Sequence, residues 1–392
     1  MARFVVVAAL LLWNGAALAQ SPDPVRGPAE LYFLAVGAAD HSDPDFNPPV
    51  PSHHSAEVVA RALTDAGAKY GILLTSSPDA GGGVTRGSFH AALTRLKKRI
   101  RTDRAKAPRV IVYIMTHGAA DPASNYLFMA PDNLVIEEPL VKQEHVFRLA
   151  RRSIWNIDVL TALMNFRMDE RLSHFDKFAY SSLMSDRLGF AMIAEQGANL
   201  LRFNLELDRK AAGYGPKPFD NAPIPFVVLF DNCTDGIEEN LVEPNPHFDQ
   251  FVRQVHSATL DAGRAFYAVP PGEVAAPMEL PEALASPGDR VVIRGRSVRP
   301  NVGPLAIHLK NVLSTAGNGG AMTVEEFASA FRLSGADDPD DFLPAAPYET
   351  PAALRPGVAT AEFIPARSSV RGEVERVTAS SADPVRCCRR ID

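Results

Sequence analysis

Cysteine is scarce in this chain, with 3 in 392 residues. That number cannot build the disulfide framework of a small stapled domain. Cys387 and Cys388 are adjacent in a Pro-, Arg- and Ser-rich end, which leaves Cys233 alone in the part that reads as globular. An excess of positive charge is also missing. Forty Lys and Arg against 46 Asp and Glu give a net charge of −6, so no nucleic-acid partner is expected. One basic run, Arg95 to Lys106, continues an apparent helix and reads as its solvated end. No apolar run approaches the roughly 20 residues that span a bilayer. The short run Phe4 to Trp13 follows Arg3 and precedes Ala17-Leu18-Ala19, the form of a signal peptide cleaved after Ala19. Residues 1–19 are therefore expected to direct export, to the periplasm or the outside. After cleavage, no membrane contact is expected.

The remainder alternates in kind. "ELYFLAVGAAD" (Glu30 to Asp40) reads as a strand and turn, and "HSDPDFNPPVP" as a loop. "SAEVVARALTDAG" (Ser55 to Gly67) carries Val58, Val59, Ala62, Leu63 and Ala66 at helical spacing, with Gly67 as its stop. "YGILLT" is a second strand. "TRGSFHAALTRLKKRI" is a second helix with Phe89, Leu93, Leu96 and Ile100 inward, and "RVIVYIM" (Arg109 to Met115) is a third strand. Strand, helix, strand, helix, strand predicts an α/β fold with a mostly parallel sheet and right-handed crossovers. Residues 134–222 leave this alternation and read as a long insertion packed on the sheet, with "IDVLTALMNF" helical. "IPFVVLFDNCTDG" resumes the sheet. A helix at "PHFDQFVRQVHSATLDAG", a strand at "RAFYAVPPG" and helices at "GPLAIHLKNVLS" and "TVEEFASAFRL" follow. The last opens with Thr323 and Glu326 in capping-box spacing. One domain over 29–345 and a disordered, low-complexity tail over 346–392 complete the expectation.

Two strands end in reactive side chains. His117 follows "VIVYIM" and Cys233 follows "FVVLF". If those strands are parallel neighbours, both tips share one sheet edge, where open α/β sheets carry their chemistry. A thiolate attacks carbonyl carbon, and an imidazole can take its proton or protonate a leaving amine. The backbone N–H groups of Gly118 and Cys233 are candidates for holding an oxyanion. The alternative for Cys233 is a small hydrophobe closing the core, and for His117 a hydrogen-bonded structural histidine.

"YIMTHG", "VVLFDNCTDG" and "LYFLAVGAAD…SAEVVARAL" resemble the bacterial caspase/metacaspase-like cysteine peptidases, over roughly Leu31 to Leu333. The resemblance implies a three-layer α/β sandwich and hydrolysis of peptide bonds through a thioester. It implies His117 as general base and acid, Cys233 as nucleophile and Gly118 as oxyanion donor. Asp231, two before the Cys, is implied to line a specificity pocket for Arg or Lys, as in metacaspase-like members; alone, it reads equally as a turn-stabilising carboxylate. Four positions depart from the pattern. Asn232 stands where a small residue is usual, Thr234-Asp235 where His-Ser is common, and Ser55 where the first helix often begins with an acid. A carboxylate at Asp235 would oppose thiolate formation if it pointed inward.

The expectation is an exported thiol protease acting on a peptide or protein substrate. Its rivals are a catalytically silent caspase-like binding module and a Cys-dependent amidase or acyltransferase. No cofactor is expected, and a requirement for Ca²⁺ is left open. Asp40, His41, Asp43, Asp45, His53 and His54 are metal-ligand types without a recognised spacing, so a Pro-rich acidic loop is the expectation and no metal site. "DAGGGVTRG" precedes a helix but lacks the Gly-Lys-Ser/Thr ending of a phosphate loop.

Overall fold

The computed structural model describes residues 30–38, 52–76, 84–121, 126–129, 153–164, 224–234, 263–269, 274–315, 322–334 and 348–349. The expected leader, the expected acidic loop with Asp40 to Asp45, Asp235, most of the expected insertion and nearly all of the expected tail lie outside the described residues.

Strand β1 (Glu30–Gly37) is buried along almost its whole length, as an apolar strand covered on both faces must be. Helix α1 (Ser52–Asp65) leads to β2 (Tyr70–Thr75), and α2 (Arg86–Thr102) leads to β3 (Pro108–Met115). Helix α1 begins three residues before the predicted Ser55, so His53 and His54 belong to a helix rather than to the acidic loop. Helix α2 starts where Thr85 and Ser88 exchange capping hydrogen bonds. β7 (Phe226–Phe230) and β8 (Gly263–Tyr267) complete a run of five parallel strands. β13 (Tyr348–Glu349) pairs antiparallel with β8, so two residues beyond the predicted domain end add a sheet edge. The six-stranded order is β13-β8-β7-β3-β1-β2. The chain thus runs outward from β1 to β2 and returns across β1 to β3. Right-handed crossovers in opposite directions place α1 and α2 on opposite faces. The strand order reverses between β1 and β3, the kind of switch point at whose C-terminal strand ends open α/β sheets bind ligands.

The α1 face carries one continuous core. Phe33, Ala35, Ile111, Val227 and Leu229 from the sheet meet Val58, Val59 and Leu63 of α1. Leu305 and Leu309 of α4 (Pro304–Thr315) and Phe327 and Phe331 of α5 (Val324–Leu333) join them. Thr323 and Glu326 form the predicted capping box of α5.

Three smaller β units accompany the main sheet, and of their strands the sequence predicts only the short one at "YLFM", which is followed by a turn. β4 (Gly118–Asp121), β5 (Tyr126–Met129) and β6 (Ile154–Trp155) form a three-stranded antiparallel sheet directly after His117. β6 runs into α3 (Asn156–Met164), both within the expected insertion, and Asn156 Nδ2 donates to Tyr267 Oη at 2.9 Å. β9 (Met278–Glu279) pairs with β12 (Asn301–Val302), and between them β10 (Val291–Ile293) and β11 (Arg296–Val298) form a hairpin. The turn Pro287–Asp289 anchors this excursion. The buried Asp289 pairs with Arg61 of α1 at 3.1 Å and with Lys310 of α4. Among the described residues no helix is long and apolar enough to cross a membrane.

Candidate functional site

β3 and β7 are hydrogen-bonded parallel neighbours in which Val110 faces Phe226 and Ile114 faces Phe230. The offset is 116 throughout, and the same offset carries His117 onto Cys233. The ladder persists beyond the strands, since Asp231 N–H donates to the Ile114 carbonyl at 2.8 Å. One residue further, Asn232 Nδ2 donates to the Thr116 carbonyl at 2.8 Å. Adjacent strands lie about 4.8 Å apart, so this register sets the two tips side by side at the C-terminal edge. Period-two alternation carries Tyr113 and His117 to one face of β3, and Leu229, Asp231 and Cys233 to the same face of β7. Cys233 joins the core on that face, together with Met115 and Leu229.

Both side chains are deeply placed, each with 2 % of its surface exposed. Cys233 Sγ lies 3.7 Å from the Ala275 carbonyl oxygen, within reach of S–H donation. Ala275 is itself buried, while Val274 and Ala276 on either side are exposed. An extended segment therefore crosses the thiol with one residue turned inward. Gly118 follows His117 directly and opens β4 opposite Met129.

Asp231 is the most elaborated residue of the group. It is 1 % exposed, and its Oδ2 accepts from Tyr113 Oη at 2.7 Å and from Ala306 N–H at 3.2 Å. Burial pushes its pKa up to about 6, against the opposing pull of the Tyr113 hydroxyl and the Leu305 and Ala306 amides. Tyr113 is pushed well above the usual phenol range, first by burial and then by the Asp231 charge, while a bond from Ser55 pulls the other way. Ser55 Oγ in turn accepts from Gly303 N–H at 3.0 Å. A continuous relay thus runs from Gly303 through Ser55 and Tyr113 to Asp231. Each bond polarises the next. The N-terminus of α4 closes the relay and favours negative charge there. A Cβ on residue 303 would lie 2.2 Å from Asp231 Oδ2, so only glycine lets this backbone pass. Asp231 Oδ1 is buried and makes no hydrogen bond among the described residues.

The structure therefore brings His117, Gly118, Cys233 and Asp231 to one sheet edge. His53 and His54 sit on α1, and Asp40, His41, Asp43, Asp45 and Asp235 lie outside the described residues. Among the described residues no group of three or more His, Cys, Asp and Glu side chains is placed to hold a metal ion. Sequence reasoning missed Tyr113, Asn232, Gly303 and Ala275 as parts of this edge. Tyr113 left a signal: a hydroxyl inside an apolar strand must find a partner. Asn232 is more than a departure from a motif, because its side chain fastens one tip to the other. Ser55 is likewise a working member of the Asp231 relay.

The described residues thus define an α/β arrangement with a thiol, an imidazole and a buried carboxylate at the C-terminal edge of a parallel sheet. No protein-family model matches the chain, and no curated protein matches it either.

Proposed function

We propose that the protein is an exported, caspase/metacaspase-like cysteine endopeptidase with a Cys233–His117 dyad. The observation that carries this reading is the β3–β7 register, with its 116-residue offset and its Asn232 fastening. In the reaction His117 takes the proton of the Cys233 thiol, and sulfur attacks the scissile carbonyl carbon. The oxyanion accepts N–H from Gly118 and Cys233. His117 returns the proton to the leaving amine, and water hydrolyses the thioester. Asp231 favours Arg or Lys before the cleaved bond, because a buried carboxylate with an unbonded oxygen is completed by a cation. The Ala275 segment must leave the thiol before a peptide carbonyl can take its place.

The depth of Cys233 and its hydrogen bond to Ala275 favour one second reading, a catalytically silent module of the same kind. A peptide-library digest by the wild-type protein, with a Cys233→Ala control, tests the first. Iodoacetamide labelling separates the two. An activated thiol alkylates faster than an ordinary one near neutral pH, whereas a core thiol labels only on unfolding. No Cys233-dependent cleavage together with unfolding-limited labelling would leave the silent module standing.

A further inference from the structure

The segment that covers Cys233 with Ala275 and passes Asp231 with Gly303 also carries the β10–β11 hairpin. Among the described residues, four large hydrophobic side chains are exposed, and two of them, Val292 at 75 % and Ile293 at 54 %, are adjacent on this hairpin. Ile293 pairs with Arg296 across the strands, and Arg294-Gly295 make the two-residue turn. Arg294 has φ 50° and Gly295 φ 75°, the pattern of a type I′ turn. That turn favours Asn, Asp or Gly at its first position. An arginine there is poorly suited to the left-handed backbone, so local conformation does not account for it. At the base of the hairpin Arg290 pairs with Glu282, and Arg299 with Glu279 and Glu282. At the apex Arg294 and Arg296 make no ion pair among the described residues. Among the described residues the charge is thus paired where the hairpin joins the fold and unpaired where it ends.

We propose that this hairpin docks the protein on an anionic phospholipid surface, with Val292 and Ile293 entering the interface and Arg294 and Arg296 contacting headgroup phosphates. Val292 and Ile293 alternate to opposite faces of the apex, opposite Ser297 and Arg296, an arrangement that suits edge-on entry into a lipid interface rather than a flat protein contact. Two side chains offer only a small fraction of the roughly 800 Å² per partner that a stable protein interface buries. A lipid interface has no such threshold. Each inserted apolar side chain and each arginine near the headgroups adds to binding by itself. The sequence, read alone, gives no membrane contact after loss of the leader, and the exposed apex is the observation against that expectation. The proposal does not depend on the peptidase reading.

The test is cosedimentation of the chain lacking residues 1–19 with vesicles of phosphatidylglycerol mixed with phosphatidylcholine, and with vesicles of phosphatidylcholine alone. The described fold begins at Glu30, so the leader is removed to eliminate its own lipid affinity. The expected result is binding to the anionic vesicles that weakens with salt, with little binding to the neutral ones. R294E/R296E is expected to weaken it at least about thirtyfold, the effect of losing two lipid-facing charges. V292S/I293S is expected to weaken it at low and high salt alike. Thermal melts matching the wild type establish that the variants fold. Absence of anionic-vesicle binding by the wild type overturns the proposal. So does binding that survives both hairpin variants, for example through the Arg95 to Lys106 run. A concentration-dependent dimer abolished by V292S/I293S, in protein that ignores vesicles, overturns it in favour of a second copy of the chain.

Discussion

Replacing Asp231 by Asn separates its cost to the fold from its use to a substrate. In the folded protein burial raises the carboxyl pKa from 3.8 to about 6. The folded state therefore holds its proton more tightly than the unfolded chain does. Between about pH 4 and pH 6 folding takes up protons, so stability falls as pH rises through this window and levels off above it. The difference of about two pKa units corresponds to about 3 kcal/mol. Asn has no charge to desolvate, and its carbonyl can still accept from Tyr113 and Ala306. Its amide donors cost about 1–3 kcal/mol if unsatisfied, but that cost does not vary with pH. The stability of Asp231→Asn relative to wild type is thus expected to improve by about 3 kcal/mol between pH 4 and pH 8, whatever the constant offset. Urea unfolding at a series of pH values measures it. On the proposed function, the same variant loses a charge-assisted hydrogen bond to an arginine substrate, worth about 1.5–3 kcal/mol or about 10- to 150-fold. The ratio of kcat/KM for matched Arg and Leu peptides reports that loss. In the wild type the same ratio is expected to fall as pH drops below about 6. A stability difference flat across pH would refute the raised pKa. An unchanged Arg-to-Leu ratio would refute the pocket and leave Asp231 as a structural partner of Tyr113 and α4.

Cys233→Ala and His117→Ala are each expected to remove hydrolysis by about a thousandfold or more, since a dyad acts as a unit; near wild-type turnover with matched circular dichroism would sink the mechanism. Asn232→Ala removes the bond that fastens the two tips and is expected to cost about 1–2 kcal/mol in urea unfolding, with a fall in kcat that exceeds any rise in KM. Asp289→Ala leaves the buried Lys310 without its counter-charge and is expected to destabilise by about 3–5 kcal/mol, most of it recovered in the double variant with Lys310→Met. Asp158, buried on α3 3.4 Å from Arg86, has its pKa raised by burial to about 7. Its charge too disfavours folding as pH rises from about 4 to 7, so Asp158→Asn is expected to flatten that part of the wild-type decline in stability.

The sequence by itself determined the sheet. Apolar β-favouring runs at Leu31, Arg109 and Phe226, separated by amphipathic helices with legible caps, admit little but parallel strands joined by crossovers. Strand identity then delivers His117 and Cys233 to the same kind of edge, because every strand of a parallel sheet ends on one side. Side-by-side placement was a tertiary matter. It needed β3 and β7 to be neighbours with an offset of 116, across an insertion whose length says nothing about register. The same holds for the Asp231 relay. Ser55, Tyr113, Asp231 and Gly303 are separated by up to 248 positions, and no periodicity links them. Their hydrogen bonds exist because α1 and α4 pack on the face to which strand alternation turns Tyr113 and Asp231. The cover that Ala275 places on the thiol and the hairpin that projects Val292 and Arg294 come from short strands between turns. Such segments are too brief to show a pattern in sequence, and their course is set by anchors elsewhere: the Asp289 pairs to Arg61 and Lys310, and the passage of Gly303 against Asp231.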